Sequence, residues 1–216
     1  AMVRPFLKWD DQPGSAEAIA ESVLRATLMA STAPMGPTYV CLDAALQEEP
    51  LGGPIALPNP KYFPVGAPPG PDSASLEQAV TALKAAKKVV ILAGRVSRDE
   101  DDWMRRIQLA EALDAKVYTA LKLAASFPSS HPKHERLLPL FQSKGDLSAL
   151  SEADVVLSLD WLDLKATLGA VDRAEDGSLT VIQSSLDRYA HTGAVMDYLG
   201  LPRTDIMLLA DPDTTT

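Results

Sequence analysis

Lys87-Lys88-Val89-Val90-Ile91-Leu92-Ala93-Gly94-Arg95 is the stretch on which the architecture turns. Its apolar residues run from Val89 to Ala93, most of them β-branched, and stop abruptly at a glycine. A run of this kind reads as a strand buried on both faces, with a turn and a crossover helix after it. The helix is marked by Trp103, Ile107, Ala110 and Leu113, and a second strand over residues 116–119 follows it. Weaker repeats of the same unit place further strands over 154–159, 179–183 and 205–209. The predicted fold class is α/β, a parallel sheet of five to six strands with helices on both faces.

Composition bounds the function. A chain of 216 residues that is 46% hydrophobic can bury a core, which excludes a disordered protein. A formal charge of −9 with scattered lysines and arginines argues against nucleic acid and anionic membranes, because counterion release needs a basic face. Apolar runs fall short of the roughly 18 residues a membrane span requires. The single cysteine, Cys41, permits no internal disulfide, so a reducing cytoplasm is the expected setting. Cys41 itself is expected to be a buried, inert thiol inside a short strand.

Upstream of the sheet, residues 3–14 read as an extended lead-in. Ser15 is a plausible N-cap for a helix to about Ser31, with Ile19, Val23, Ala26 and Ala30 on one face. A short strand over 38–42 is closed by Asp43. Residues 50–71 contain eight prolines and four glycines, which hinder helix and ladder alike, so 50–72 is a stiff linker. Ser73 or Ser75 then caps a helix presenting Leu76, Ala79, Val80 and Leu83. Residues 125–144 read as a long irregular connection, and Asp146 as the cap of a short helix. A parallel strand so near the end of the chain calls for a covering helix beyond it, which suggests a cut polypeptide.

The order of these pieces resembles the central, transhydrogenase-like or deoxyhypusine-synthase-like domain of thiamine-diphosphate-dependent enzymes of the acetolactate synthase, benzoylformate decarboxylase and oxalyl-CoA decarboxylase type. The resemblance rests on Val89-Val90-Ile91-Leu92-Ala93-Gly94, on Lys116-Val117-Tyr118-Thr119, on the loop Phe127-Pro128-Ser129-Ser130-His131-Pro132, and on Ala153-Asp154-Val155-Val156-Leu157. Lys8-Trp9 and Gly36-Pro37-Thr38-Tyr39-Val40 are similar to signatures at the end of the preceding pyrimidine-binding domain. It implies a Rossmann-like NAD/FAD-type fold and a division into a pyrimidine-domain tail (1–49), the linker (50–72) and the central domain (73–216).

For catalysis the implication is largely negative. In that family the activating glutamate lies earlier, and the magnesium-diphosphate motif, Gly-Asp-Gly with a later asparagine, lies in the third domain. Here Gly145-Asp146 is followed by Leu147, and the single asparagine is Asn59. Thiamine diphosphate and magnesium would therefore be bound by segments outside this chain, which alone is expected to be inactive. The parent would be a lyase or transferase that decarboxylates or ligates a 2-oxo acid, a homo-oligomer whose remaining domains are this chain's partners. An independent NAD- or FAD-binding module is the alternative, disfavoured because the amino-terminal helix and strand would lack sheet partners.

Some members of the family bind FAD or another ADP-containing ligand in this domain. The corresponding candidates are Gly94, Arg95, Ser97 and Arg98 after the first strand, Thr119, Leu121 and Lys122 after the second, Asp160 and Trp161 after the third, and Asp187 beyond the fourth, all at the strand ends where open α/β sheets place ligands. Against a ligand stand the absence of Gly-x-Gly-x-x-Gly and the four acids Asp99 to Asp102 beside the arginines. A vestigial pocket, its arginines paired with those acids, is the preferred reading. His131 and His134 have helical spacing, but Pro132 breaks the helix and argues against a metal site.

Overall fold

A computed structural model of the chain describes residues 2–139, 142–189 and 200–216. Its described residues divide into two compact units, one built from 2–68 with Tyr189 and the other from 69–188 and 200–216.

In the first unit the lead-in contains a strand, β1 (Trp9–Asp11), which helix α1 (Ala16–Ser31) connects to β2 (Thr38–Val40). The two strands pair in parallel, Trp9 opposite Thr38, so the amino-terminal strand does have a sheet partner. The Ser15 hydroxyl caps α1 by accepting from the Ala18 amide. The helix turns Ser22 and Ala26 inward, and the Ser22 hydroxyl donates to Asp11 at 2.8 Å. Val23, expected on that face, is exposed. Because β2 ends at Val40, Cys41 lies past it and is only half-buried, not locked in an apolar strand. Asp43 does not simply close the strand; its carboxylate caps α2 (Ala44–Glu48). The proline-rich stretch that follows is largely exposed, with one 3-10 turn at Pro60–Tyr62.

The second unit opens with α3 (Ser73–Ala85). Its cap is Asp72, one residue ahead of the serines expected in that role; the carboxylate accepts from the Ser75 amide. The inward face runs through Ala79, Ala82 and Leu83, while Leu76 and Val80 remain more than a third exposed. Then come β3 (Val89–Ala93), α4 (Glu100–Ala112), β4 (Lys116–Ala120), β5 (His134–Leu138), α5 (Ser148–Glu152), β6 (Val155–Leu159), α6 (Leu164–Gly169), α7 (Asp172–Asp176), β7 (Thr180–Ser184) and β8 (Ile206–Leu208). Among the described residues these strands form one six-stranded parallel sheet in the order β5-β4-β3-β6-β7-β8.

β5 lies inside the stretch expected to be irregular. It is an edge strand whose burial is confined to Leu138 at its end, so its residues carry polar side chains that hide the strand pattern. Ser143, not Asp146, caps the turn before α5; Asp146 completes a capping box by accepting from the Ser143 amide. The central strands β3 and β6 are buried throughout, as their apolar runs require. One core layer gathers Leu92, Tyr118, Leu150, Val156, Leu168 and Val181; the other gathers Ala79, Ile91, Ala110, Val117, Leu157 and Leu208.

Replacing Leu92, which has 0% exposure, with alanine should cost about 3 kcal/mol by lost burial and a residual cavity. Leu76→Ala should cost well under half of that, because Leu76 already meets solvent. Urea unfolding of the two variants checks this, and equal losses would contradict the burial just described.

Candidate functional site

The strand order reverses between β3 and β6: β4 and β5 extend one way, β7 and β8 the other. Open α/β sheets bind ligands in the crevice that such a reversal leaves beyond the strand ends. Here the crevice is zipped. Past the last residues of β3 and β6 the ladder continues, with the Gly94 amide donating to Leu159 O at 2.9 Å and the Arg95 amide to Asp160 O at 3.0 Å. Asp160, with φ of 51°, turns in the left-handed region as it leaves β6, and its own amide donates to Ser184 O at 2.8 Å.

Gly94 is required by this contact. A Cβ there would lie 2.2 Å from the Asp160 carbonyl oxygen and 2.5 Å from the Trp161 nitrogen, both backbone atoms that no side-chain rotation can move aside. The glycine at the end of the decisive strand thus admits a neighbouring loop.

Arg95 is bound by acids that the sequence places far away. Its Nη2 donates to Asp160 Oδ1 at 2.9 Å and also to Asp187 Oδ1. Its Nε lies 2.9 Å from Asp160 Oδ2, close enough for ion pairing but out of line for a hydrogen bond. The Ser185 hydroxyl donates to Asp160 Oδ1 at 2.6 Å and accepts the Asp187 amide. The expected pairing of the arginines with Asp99 to Asp102 is therefore corrected for Arg95. Asp99 instead caps α4 by accepting the amides of Asp101 and Asp102, and Asp102 pairs with Arg105.

The other candidates fall into three places. The Ser97 amide donates to Asp213 and its carbonyl accepts from Arg106, so both backbone groups are engaged; Arg98 is exposed on the same turn. The Thr119 hydroxyl meets His134 Nε2 at 2.9 Å across β4 and β5. His131 contacts Glu111 at 3.2 Å, and no group of three metal-ligating side chains converges among the described residues. Leu121, Lys122 and Trp161 line a cleft of about 260 Å³ bounded by Leu138, Gln142 and Thr167. Trp161 is 3% exposed with its indole N–H donating to Thr167 at 2.9 Å, so its ring is committed to packing. Sequence reasoning missed Arg106, Ser185 and Asp213, whose types are ordinary and whose partners are remote in the chain.

The described residues around the Gly145-Asp146 candidate do not fit a magnesium-diphosphate site. The Asp146 carboxylate, the nearest analogue of the motif, accepts from Ser143 and pairs with Arg136, and the Ser143 hydroxyl bond is the main reason its pKa falls.

These features define a doubly wound parallel module with a closed switch point, and comparison with known proteins places it. The sequence profile of the thiamine pyrophosphate enzyme central domain matches residues 76–199. The chain is 30% identical over 159 residues to sulfoacetaldehyde acetyltransferase of Rhodobacter capsulatus, covering 74% of this chain and 26% of that protein. It is 26% identical over 160 residues to the acetolactate synthase large subunit of Buchnera aphidicola, covering 72% and 27%. Benzoylformate decarboxylase from Polynucleobacter necessarius shares the fold, with a TM-score of 0.67 at 20% identity over 99% of this chain and 38% of that one. A thiamin diphosphate-dependent enzyme isolated from Mycobacterium smegmatis gives a TM-score of 0.71 at 23% identity over 100% and 39%. The chain belongs to the thiamine-pyrophosphate-dependent enzymes and contains their central domain. It matches about a quarter of the length of the curated relatives named above.

Two outcomes follow from this geometry. Gly94→Ala must part the β3 and β6 loops and should cost at least about 2 kcal/mol, measured by urea unfolding; a neutral substitution would refute the close approach. Burial pushes the Asp160 carboxyl up, over the opposing pull of Arg95. The backbone amides of Lys87 and Lys88 hold Asp154 down. The raised group contributes stability that is complete below its unfolded pKa and fades as pH rises through the folded one. The lowered group contributes above its unfolded pKa and fades as pH falls through the folded one. Carboxyl-carbon NMR should find Asp160 titrating above the usual carboxylate range and Asp154 below it, and the reverse order would disprove the burial argument.

Proposed function

We propose that the chain is the central scaffold domain of a thiamine-diphosphate-dependent lyase or transferase, inactive by itself, whose candidate nucleotide residues hold no FAD, ADP, CoA or NAD. The single observation that carries this is the Arg95 guanidinium held by Asp160 and Asp187 at the closed switch point. A diphosphate would have to displace two carboxylates from the cation that should attract it, and to part a backbone ladder. In this reading residues 1–49 are the tail of a pyrimidine-binding domain, 50–72 the linker and 73–216 the scaffold. The parent decarboxylates or ligates a 2-oxo acid in a homo-oligomer, with thiamine diphosphate and magnesium bound by its other domains. The names carried by the Rhodobacter and Buchnera relatives support a transferase or carboligase as the parent activity. The lone Cys41 supports a reducing cytoplasmic setting. Among the described residues no helix is long and apolar enough to cross a membrane.

Titration of the chain with FAD, ADP, CoA and NAD, followed by tryptophan fluorescence and calorimetry, should give no saturable binding at millimolar ligand. Micromolar binding of any one of them, weakened by Arg95→Ala, would replace the scaffold reading with a working nucleotide pocket.

A further inference from the structure

The turn after β3 contains a second set of buried charges. Arg106 reaches inward from α4 with 2% exposure. Its Nε donates to the Ser126 carbonyl at 3.1 Å and its Nη2 to the Ser97 carbonyl at 2.8 Å, while Nη1 donates to Asp213 Oδ1. The second oxygen of Asp213 accepts the Ser97 amide. Asp213 is 8% exposed and arrives from 107 residues further along, in the 3-10 turn Pro212–Thr215. Two backbone carbonyls, of Ser97 and Ser126, thus hold the guanidinium alongside Asp213 and aim it at the Asp213 carboxylate. A carboxylate gripped between a buried guanidinium and a strand-to-helix turn amide fills the position of a bound oxyanion.

We propose that Ser97 and Arg106 form an oxyanion slot that Asp213 plugs in cis, an autoinhibitory contact that keeps the switch-point turn closed to small carboxylates and phosphates. The inference rests on the scaffold reading, since a resting chain that took up nucleotides would not be plugged. Withdrawing the plug should expose the slot to an external oxyanion of matching size.

The test is chemical rescue of the Asp213→Ala chain, read by thermal unfolding in formate or inorganic phosphate against chloride at equal ionic strength. Loss of the buried partner should lower the unfolding midpoint by on the order of 10 °C. Formate or phosphate should restore most of that loss saturably, while the wild-type chain and Asp213→Ala/Arg106→Met should respond no more than in chloride. Asp213→Ser, which keeps an acceptor for the Ser97 amide, provides a milder opening in case the alanine chain does not fold. Folding of either variant only in formate or phosphate supports the plug just as well. Absence of anion-specific recovery in both variants overturns it, as does an equal gain in the wild type. Nucleotide binding by the wild-type chain would instead overturn the scaffold reading, whatever the variants do.

Discussion

The contact between the ends of β3 and β6 constrains the rest of the second unit. Both halves of the sheet grow outward from these two strands, which are buried throughout and registered residue for residue from Val89 opposite Val155 to Ala93 opposite Leu159. Registration of this kind normally stops at the strand ends and leaves a crevice. Because Gly94 lacks a side chain, the ladder carries on into Asp160, and the crevice is replaced by two more backbone hydrogen bonds. The same topology that usually makes a binding site therefore makes a seam.

Charge follows the seam. Three of the groups at this end of the sheet that could attract an anion are the Arg95 guanidinium, the Arg106 guanidinium and the amide-rich start of α4. Each is matched by a carboxylate of the chain itself, respectively from Asp160 and Asp187, from Asp213, and from Asp99. Buried ion pairs of this sort add little over apolar packing, yet removing one member leaves a charge stranded. Their effect is to specify which loops meet. Arg95 joins the ends of β6 and β7, and Arg106 joins α4 to the segment after β8.

What the sequence made legible follows from where each signal is local. The strands β3, β6 and β7 are announced by their own apolar runs, and the cap of α1 by Ser15, so these parts and the parallel class could be read directly. β5 could not, because His134-Glu135-Arg136 sits at a sheet edge where one face meets water and no apolar pattern is needed. β1 was hidden for want of an apolar pattern: Trp9-Asp10-Asp11 has two acids in three residues. Asp72 was passed over because two serines lay just beyond it and any of the three has capping chemistry. At the site, the fold brings Gly94, Arg95, Asp160 and Asp187 together, and the acids that hold Arg95 are not the ones the sequence suggested. Proximity in sequence suggested Asp99 to Asp102, whereas the fold delivers carboxylates from 65 and 92 residues away.

Arg106 shows the limit of periodicity most sharply. Trp103, Ile107, Ala110 and Leu113 mark the inner face of α4, and Arg106 falls on that face too, where a charge would ordinarily count against burial. It is tolerated because Asp213 reaches it, and Asp213 is held there by a turn tied to the opening of the same unit. The Asp211 amide donates to Pro69 O at 2.9 Å, and the Thr214 hydroxyl, which donates to Asp211 O at 2.7 Å, lies 3.2 Å from the same Pro69 oxygen. This clasp holds the turn that carries Asp213 within one hydrogen bond of Pro69, at the opening of the unit. The buried arginine, unreadable as a core residue by pattern, anchors that clasp to α4.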